Sequence, residues 1–584
     1  MRFFLRIFVS KFLLFLAFIQ KNMKKVFLFL FLSAISYSQK DYPKDFISPL
    51  SIPLDVSGSF GELRGNHFHS GLDLKTNKKQ GLDVFAVADG YISRIKISTY
   101  GYGKAIYITH PNGYTTVYAH LQKANGVIEE YIRKTQYNKK SFEVEMFPSS
   151  SELPVKQGDI IAFSGNSGGS GGPHLHFEFR ETKTEKVVNP LSFGFNKLAN
   201  DTRNPFLQGI VAYPIENAIV NKSKKPIAIS FNKQADGTYL GTKVVTNGKI
   251  AFGINAYDHC TNPYNRNGLY KVNAYLNGVL YYQYDFETFA FAESRYINNL
   301  IDYNRMKEMG QKVQKLFHYS DYPLSVIKFS KNNGIVDAQP NTNYNYKIEI
   351  FDYHNNKATI IIPIEFQNQE EVILKKEEVK PYFLKSRVEN NYTKENVSVY
   401  IPENAFYDDF SFDFDVKDGV LSFSEENIPV HKNITITFND VTGLTEEELN
   451  KTFIASVEGY KLGYNKTYRK GNTFSARVRS LENYKLAQDS ISPRIYNVNF
   501  VEGSNLKNQK TLSVSISDNL SGIDTYNAYL NGEWILMEYD YKTKKLIHML
   551  SDNKYKEGKN DFKVIVTDDM QNSTTFESHF FINN

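Results

Sequence analysis

The chain has 584 residues, which is too long for a single hydrophobic core, so about three to five domains are expected. Its 40 Tyr and 44 Phe favour strands, within an otherwise ordinary composition of 41% hydrophobic and 23% charged residues. The formal net charge of +6 comes from the first 38 residues, since the remainder holds 63 basic and 63 acidic residues. This balance excludes a general electrostatic attraction for nucleic acid, and the single cysteine excludes an internal disulfide framework and a thiolate zinc site.

Residues 1–38 have the pattern of a leader that directs export. Two lysines precede the apolar run Val26–Ile35, and small residues precede an expected cleavage before Gln39. The run is too short for a permanent membrane span, and no later segment is long and apolar enough. Met23 is the expected true start, and the alternative is an uncleaved anchor that also uses Phe12–Ile19. The predicted location is the periplasm or cell envelope, with no stable transmembrane segment after leader removal.

Residues 45–195 are predicted to form an antiparallel β-sheet domain. Short apolar runs end at glycine or Asn-Gly turns in AVADGYISRI, KAIYITHPNG, YTTVYAHL and DIIAFSGNSG, which is typical of strands. A polar stretch at about 122–154 interrupts this pattern, and its segment IEEYIRKTQYNKK indicates a short helix. No long helical period appears elsewhere in this region.

An internal repeat divides the rest of the chain. NAYLNG occurs at 273–278 and again at 527–532, and YKIEIFDYHNN matches FKVIVTDDMQN in spacing and residue type. We expect two related immunoglobulin-like β-sandwich modules, which would occupy residues 205–370 and 490–584.

The two copies differ in length. The first carries additional residues, and apolar positions at helical spacing predict a helical insertion at about 293–317. A further β-rich module, at 375–487, matches neither copy. The predicted fold class is therefore mainly β throughout.

Half of the twelve histidines lie between residues 67 and 176, which makes the N-terminal region the place to look for chemistry. In HLHFEFR, strand alternation puts His174, His176 and Glu178 on one face, with Leu175, Phe177 and Phe179 in a core. One of the two imidazoles can hold a metal while its neighbour handles a proton. Glu178 either orients neighbouring groups or is a solvent-facing carboxylate, and the sequence favours neither.

Two further segments supply matching side chains. HSGLD offers His69 and Asp73 as ligands, with Gly71 allowing the backbone to bend between them. YAHL is expected to place Tyr118 and His120 on one strand face. Two histidines and one carboxylate, with a fourth position for water, are typical of a catalytic zinc site.

These segments occur in the order HFHSGLDLKTNKKQGLDVFAVADGYISRI, YGYGKAIYITHPNGYTTVYAHL and GDIIAFSGNSGGSGGPHLHFEFR. Together they resemble the LytM/lysostaphin-type zinc endopeptidases of peptidoglycan over about residues 50–190. The resemblance implies that Zn²⁺ is the cofactor and that peptidoglycan stem peptides are the substrate. It further implies three zinc ligands, His69, Asp73 and His176, and two catalytic histidines, His120 and His174.

Several alternatives stay open at this point. Either His120 or His174 can be the general base, while His67 and His110 are expected to be structural. The glycines at 165–172 are expected to let a peptide backbone approach. The function could instead be that of a cell-wall-binding regulator of another hydrolase, or of a protease acting on proteins. The residues after about 200 are expected to lack catalytic chemistry and to place the enzyme by binding the envelope, a partner protein or the cleft.

Overall fold

A computed structural model describes residues 41–584, apart from residues 200, 260–264, 320–321, 370–379, 425–426 and 584. The chain divides into a unit that ends at Lys44 and a second unit, Asp45–Asn584, and only the second is described below. The predicted leader, residues 1–38, lies outside the described residues. Within them, no helix combines the length and the apolar composition that a membrane crossing requires.

The fold is mainly β, as the sequence predicts. The α-helices of the described residues are α1 Gly126–Lys139, α2 Ile297–Leu300, α3 Tyr303–Met309 and α4 Glu446–Asn450. Short 3₁₀ helices occur at Pro190–Phe193, Phe195–Lys197, Phe291–Tyr296, Asn332–Gly334 and Leu550–Asp552. The predicted helix in IEEYIRKTQYNKK is confirmed as part of α1.

The N-terminal region, residues 45–195, is built on an antiparallel sheet. Its strands are β1 Val56–Gly58, β2 Leu63–Arg64, β3 His67–Phe68, β4 Leu72–Lys75, β5 Asp83–Phe85, β6 Gly90–Ile97, β7 Lys104–Thr109, β8 Tyr114–Ala119, β9 Lys123–Ala124, β10 Val144–Met146, β11 Pro154–Val155, β12 Ile160–Phe163, β13 His174–Glu181 and β14 Val187–Val188. The main sheet runs in the order β1-β4-β13-β8-β7-β6-β10, and a smaller sheet runs β5-β12-β9. Strand β13 therefore lies in the middle of the main sheet.

The position of β13 follows from its residue pattern. Leu175, Phe177 and Phe179 alternate along it and are fully buried in the core, as predicted. Strand β13 pairs with β4 on one side, where His176 lies opposite Asp73, and with β8 on the other, where His176 lies opposite Ala119. The sheet register thus brings two of the predicted metal ligands side by side.

The first module, residues 206–366, contains two sheets. Its strands are β15 Phe206–Pro214, β16 Ile227–Ile229, β17 Phe231–Lys233, β18 Tyr239–Gly241, β19 Val244–Thr246, β20 Lys249–Tyr257, β21 Lys271–Leu276, β22 Val279–Asp285, β23 Thr288–Phe289, β24 Gln314–Lys315, β25 Ile327–Ser330, β26 Val336–Asp337, β27 Asn343–Phe351 and β28 Lys357–Phe366. One sheet runs β16-β15-β20-β24 and the other β17-β18-β28-β27-β21-β22-β25. Strand β23 pairs with β14, which extends the N-terminal sheet into this module.

The insertion predicted at about 293–317 is helical only as far as Met309. Helix α3 starts after Asp302, whose side chain accepts a hydrogen bond from the backbone N–H of Arg305. It ends at Gly310, which has a left-handed φ of 67°, and the chain then enters β24. A capping aspartate and a left-handed glycine therefore break the apolar spacing that predicted one continuous helix.

The middle module, residues 382–488, also contains facing sheets. Its strands are β29 Tyr382–Leu384, β30 Asn390–Lys394, β31 Val397–Ile401, β32 Phe410–Phe412, β33 Phe414–Lys417, β34 Val420–Phe423, β35 Ile434–Phe438, β36 Thr452–Glu458, β37 Lys461–Asn465, β38 Thr467–Lys470, β39 Thr473–Val478 and β40 Asn483–Gln488. One sheet runs β30-β31-β35-β39-β38 and another β33-β34-β40-β36-β37. Their buried residues form one hydrophobic core.

The last module, residues 494–582, repeats part of the first. Its strands are β41 Arg494–Tyr496, β42 Thr511–Ser517, β43 Ile523–Leu530, β44 Glu533–Ile535, β45 Glu538–Asp540, β46 Lys545–Met549, β47 Gly558–Asp568 and β48 Ser573–Ile582. One sheet runs β41-β42-β46-β45, and the other, β44-β43-β47-β48, has the order of β22-β21-β27-β28 in the first module. Each NAYLNG copy forms the hairpin of this sheet, and its Asn-Gly turn has two positive φ angles in both modules, which suits that residue pair.

Candidate metal centre

Three predicted ligands meet where β4 and β13 pair. His69 Nε2 lies 3.0 Å from Asp73 Oδ1 and 3.1 Å from His176 Nδ1, and His176 Nδ1 lies 3.0 Å from the same carboxylate oxygen. All three residues are buried. The structure thus brings together, on one small triangle, the side chains that the resemblance assigns to the metal.

The other ring nitrogen of each ligand histidine makes a hydrogen bond that fixes its orientation. His69 Nδ1 donates to the carbonyl of Ser59 at 2.8 Å, and His176 Nε2 donates to Glu178 Oε1 at 2.8 Å. The nitrogen lone pairs that remain therefore face Asp73. Such outer partners are typical of metal-bound histidines.

The donor set fits zinc. Tetrahedral zinc with bonds of about 2.0–2.1 Å separates its ligand atoms by about 3.3 Å, which is close to the observed spacing. Burial opposes the ionisation of Asp73, but the surrounding His69, His174 and His176 outweigh it and lower the pKa of this carboxyl well below its usual range. Asp73 is therefore anionic, and together with two imidazole nitrogens it forms a donor set that suits zinc better than calcium or magnesium.

Glu178 lies beneath this triangle and is fully buried. Its Oε1 accepts hydrogen bonds from His176, from Ser70 Oγ at 2.6 Å and from the hydroxyl of Tyr102, while its Oε2 accepts from Arg180 Nε at 2.8 Å. Burial opposes its ionisation, but Arg180 and His176 outweigh this effect and lower the pKa of Glu178. Of the two roles left open, the geometry supports the orienting one.

The two predicted catalytic histidines stand beside the triangle. Their ring centroids are 4.8 Å apart, and His174 Nε2 lies 3.4 Å from Asp73 Oδ1. His120 Nδ1 donates to the carbonyl of Ser167 at 2.9 Å, and His174 Nδ1 donates to that of Gly172 at 2.8 Å. Each Nε2 is thereby left as the nitrogen that can accept a proton.

The backbone places His120 differently from the prediction. Strand β8 ends at Ala119, and His120 has a left-handed φ of 58°, which is unusual for a residue other than glycine. Tyr118 instead points into the core, where its hydroxyl accepts the backbone N–H of Val87. The expectation that Tyr118 and His120 share a strand face is therefore wrong.

The glycine in HSGLD is needed for close packing. A Cβ atom on Gly71 would lie 2.3 Å from the carbonyl oxygen of Phe177, so no larger residue fits between β13 and this turn. The φ of Gly71 is not positive. The glycine is therefore needed for the close approach of two backbones and not, as the sequence suggested, for a bend between His69 and Asp73.

A groove of about 620 Å³ opens beside Asp73 and His174. Gly171 and Gly172 line it, and a Cβ atom on either would meet nothing within 4 Å. Lys75 and Lys78 lie on its rim. The groove thus has room for an extended chain next to the predicted metal ligands, as the glycine pattern suggested.

Arg64 is a site residue that the sequence reasoning missed. Its Nη2 donates to Asp73 Oδ2 at 2.9 Å and to Glu62 Oε2 at 3.0 Å. No motif marks it, because it lies on the short strand β2 and reaches Asp73 only through the fold. His67 and His110, expected to be structural, lie away from the triangle and bond to Gly65 and to Asp89 and Thr116.

The last module contacts the glycine-rich loop 165–172. Lys542 Nζ donates to the carbonyls of Asn166 and Ser170, the second at 3.1 Å, and Tyr541 OH donates to Gly168 at 3.4 Å. This loop also carries the carbonyls of Ser167 and Gly172 that orient His120 and His174. A turn more than 370 residues away in sequence therefore supports the catalytic side of the groove.

Ion pairs hold the last module against the N-terminal region at a second point. Glu538 bonds Lys104 at 2.6 Å and Arg133 at 3.4 Å, and Asp552 bonds Arg133 at 2.9 Å. Helix α1, which carries Arg133, comes from the polar segment at about 122–154, for which the sequence indicated a short helix but no role. That segment thus serves as a docking element for the last module.

Comparison with known families gives two matches. Residues 67–137 match Peptidase family M23, and residues 381–489 match a Zu5-like domain. The first match contains β3, His69, Asp73 and His120. The match ends before His174 and His176, which the pairing of β13 with β4 and β8 brings to the same site.

Named relatives match part of the chain. A DD-carboxypeptidase/endopeptidase Mpg of Neisseria meningitidis is 36% identical over 124 residues, which cover 21% of this chain and 22% of that protein. A peptidoglycan DD-endopeptidase ShyC of Vibrio cholerae is 28% identical over 145 residues, which cover 25% of each protein. The chain thus spans about a quarter or less of the length of these relatives.

Among solved structures, the catalytic domain of lysostaphin from Staphylococcus simulans is 26% identical. The match covers 23% of this chain and 87% of that domain, with a TM-score of 0.18.

Proposed function

We propose that this chain is a zinc endopeptidase that hydrolyses the peptide cross-links of bacterial peptidoglycan, because residues 67–137 match peptidase family M23. The observation that carries the proposal is the convergence of His69 Nε2, Asp73 Oδ1 and His176 Nδ1, with two further histidines beside them. The names of the relatives, which include a peptidoglycan DD-endopeptidase, support this choice of substrate.

In this proposal, His69, Asp73 and His176 hold the zinc ion. Zinc held there would supply Lewis-acid chemistry, which is suited to polarising a scissile amide carbonyl and activating a water molecule. Glu178 holds the ring of His176 in place and keeps its proton on Nε2, so that Nδ1 remains available as a ligand.

His120 and His174 handle protons and charge. Burial, together with His176 and His174, lowers the pKa of His120 to about 3, so this imidazole is neutral and can accept a proton at Nε2. His174 presents its own Nε2 from the end of β13. One of the pair takes a proton from the attacking water at Nε2, and the other, when it carries a proton on Nε2 in addition to the one on Nδ1, donates a hydrogen bond to the developing oxyanion.

The groove supports a peptide substrate that carries carboxylates. Gly171 and Gly172 leave the backbone of the loop open to an extended chain, and the exposed Lys78 places positive charge at the groove, whereas Lys75 pairs with Asp55 at 3.3 Å. Stem peptides of peptidoglycan are short, flexible and rich in free carboxylates. Charge attraction at the rim and close backbone contact in the groove suit such a ligand.

Digestion of purified peptidoglycan tests the proposal. The zinc-loaded protein is incubated with sacculi, and the released fragments are identified by mass spectrometry, beside a reaction with the His120→Ala/His174→Ala variant. We expect fragments cut within peptide cross-links from the wild type alone. Cleavage of a protein substrate with intact sacculi would favour the protein-directed protease. Binding to sacculi without cleavage by a zinc-loaded chain would favour the regulator.

The proposal includes export. The support is the basic, then apolar, then small-residue order of residues 23–38, together with a substrate that lies outside the cytoplasm. Mature protein purified from its source is expected to begin at or near Gln39. An exported chain that retains Met1 or Met23 would instead indicate the anchored form.

We also propose that the modules after residue 200 place the enzyme, by binding the envelope or a partner protein. The contacts of Lys542 and Tyr541 with the loop 165–172 support a direct mechanical link between the last module and the catalytic histidines.

A further inference from the structure

Three aspartates converge at the start of the last module. The carboxylates of Asp489, Asp518 and Asp568 each offer an oxygen that lies within 4.8 Å of the others. Asp489 precedes β41, Asp518 follows β42, and Asp568 ends β47, so three distant parts of the chain meet here. Asp489 is 2% exposed and Asp568 is fully buried.

The first module carries an equivalent cluster. Asp201 precedes β15, Asp258 follows β20, and Asp352 follows β27, which are the corresponding places in the repeat. Oxygens of Asp201 and Asp352 lie within 4.8 Å of each other and of a ring nitrogen of His354, and the three aspartates are 3–5% exposed. Repulsion among these carboxyls links Asp258 to the other two.

The two clusters are held by the same hydrogen bonds. Asp352 accepts the backbone N–H of Asn356 at 2.8 Å and its side-chain amide at 2.7 Å, and Asp568 accepts the same groups of Asn572 at 2.7 and 2.8 Å. Each asparagine amide also donates to the backbone carbonyl of the aspartate that precedes the module, Asp201 or Asp489. Both modules therefore build one arrangement twice.

Neither cluster has a lysine or arginine partner among the described residues. No lysine or arginine in these ranges forms an ion pair with any of the six aspartates, although most of them are almost completely buried. Buried carboxylates without a positive partner are strongly unfavourable, because water no longer solvates them. The arrangement is therefore incomplete as a set of protein groups alone.

Individual atoms also lack partners. Within the described residues, Asp201 Oδ2, Asp258 Oδ1 and Asp518 Oδ1 are buried and accept no hydrogen bond. Asn267 is 2% exposed, and both polar atoms of its amide are unpaired. It pairs directly with Asp258 in an antiparallel bridge, so its side chain leaves the backbone on the same face as that aspartate. In the last module the hydroxyl of Ser521, whose N–H bonds Asp489, is equally unpaired.

The electrostatics agree with this reading. Burial and repulsion from Asp352 and Asp201 raise the pKa of Asp258 to about 8. Burial likewise raises the pKa of Asp568, with Asp489 and Asp518 adding to the effect and Asn572 opposing it. Carboxyls in such places either share protons or surround a cation.

We propose that each cluster binds one calcium ion, at the points where the first and last modules join the parts of the chain before them. The ligands are oxygens of hard, anionic side chains, which calcium prefers. His354 has Met570 at the equivalent place in the second cluster, so the arrangement that both modules share contains no nitrogen for zinc. Calcium would fix Asp201 and Asp489 to their modules and stiffen both junctions.

Calcium binding to the mature chain, residues 39–584, tests this directly. The protein is freed of metal on a chelating resin, reloaded with one equivalent of zinc and dialysed against ⁴⁵Ca²⁺ in the presence of 1 mM MgCl₂. We expect two calcium ions per chain with Kd of about 10⁻⁴–10⁻³ M or tighter. We also expect the melting temperature to rise by several degrees in 5 mM calcium.

Variants assign the sites. Asp258→Asn and Asp518→Asn should each bind one ion, and the double variant none, whereas the exposed-residue controls Asp236→Asn and Asp561→Asn should bind two. Each asparagine keeps the shape of its aspartate and removes a carboxyl group that the neighbouring carboxyls repel. In calcium-free buffer these variants should therefore melt at or above the temperature of the wild type, which separates lost binding from lost folding.

Two results would overturn the proposal. In the first, the wild type binds no more calcium than the double variant and melts at the same temperature with and without calcium. This result is expected if the carboxyls share protons instead of binding a cation. The other is a chain that takes up additional zinc at the clusters in place of calcium, shown by metal analysis of the Asp258→Asn/Asp518→Asn variant beside the wild type.

Discussion

Replacing Glu178 by glutamine tests the charged network beneath the candidate metal site. Glutamine has the same shape but only one side-chain oxygen, so its NH₂ group must face either the donors on one side or Arg180 on the other. The donors at Oε1 include His176 Nε2, and the donor at Oε2 is Arg180 Nε, both at 2.8 Å. One of these contacts becomes a clash between two N–H groups.

The expected cost follows from burial. Arg180 is 5% exposed and would keep its charge without its main carboxylate, and Glu185, which also contacts it, has a side chain that is 58% exposed and compensates little. Breaking a buried ion pair costs about 3–5 kcal/mol, which corresponds to roughly 10²–10⁴-fold faster exchange of amides protected by that structure. Loss of the partner of His176 should lower zinc affinity about 10–100-fold.

Two assays separate these effects. Hydrogen exchange on peptides that cover β13 reports local stability, because the only tryptophan, Trp534, lies in the last module and reports that module instead. Competition with a chromophoric chelator reports zinc affinity. The Glu178→Gln/Arg180→Met variant removes both charges, so we expect it to recover exchange protection without recovering zinc affinity. Glu185→Gln serves as the control, with little change in either. Unchanged protection and zinc affinity in Glu178→Gln would refute the reasoning.

Four further predictions follow from the site and its surroundings. The variants His69→Ala, Asp73→Ala and His176→Ala each remove one proposed metal ligand and should abolish zinc binding in metal analysis. Full zinc content in one of them would exclude that residue as a ligand. The variants His120→Ala and His174→Ala should retain zinc and lose turnover about 10²–10⁴-fold, and near-normal cleavage by both would contradict their catalytic role. Lys542→Ala should free the loop 165–172 and lower kcat several-fold at unchanged zinc content, whereas an unaltered kcat would show that the last module does not support the site. Burial opposes the ionisation of Glu538, but Lys104 and Arg133 outweigh it and lower its pKa. Its contribution to docking is therefore complete above about pH 4.3 and is lost as the pH falls through the lowered value, so hydrogen exchange in β45 should rise there in the wild type but not in Glu538→Gln.

The sheet and its ligands could be predicted because short sequence patterns determine them. Alternation in HLHFEFR placed Leu175, Phe177 and Phe179 in the core, which in turn fixes the face on which His174 and His176 stand. Antiparallel pairing with β4 then brings Asp73 opposite His176. These are period-two features, and a strand shifted by one residue would expose three large apolar side chains.

Features that depend on a single backbone angle or a distant contact could not be predicted in this way. The left-handed φ of His120 ends β8 one residue earlier than the YAHL pattern suggests and separates this ring from Tyr118. The capping of α3 by Asp302 shortens the helical insertion, although the apolar spacing continues beyond it. Arg64 joins the site from a strand of two residues, for which no periodic signal exists.

The aspartate clusters show the same limit more sharply. The repeated NAYLNG segment reveals that two modules are related. Successive aspartates of each cluster, however, lie 29 to 94 positions apart in the sequence, so no local motif connects them. The sequence accordingly indicated no group of ligands after residue 180, whereas the fold assembles two such groups among the described residues.

A shared fold alone does not explain why both modules keep the same hydrogen bonds around these carboxylates. A β-sandwich could close its end with neutral or apolar residues at lower cost, because buried carboxylates oppose folding unless something balances their charge. Both modules have an aspartate before the first strand, an aspartate after the next strand of the same sheet, and the Asp–Asn turn. A cation at each junction accounts for all three features. It would also couple the rigidity of the chain between the groove and the last module, whose Lys542 contacts the glycine-rich loop, to the surrounding calcium concentration.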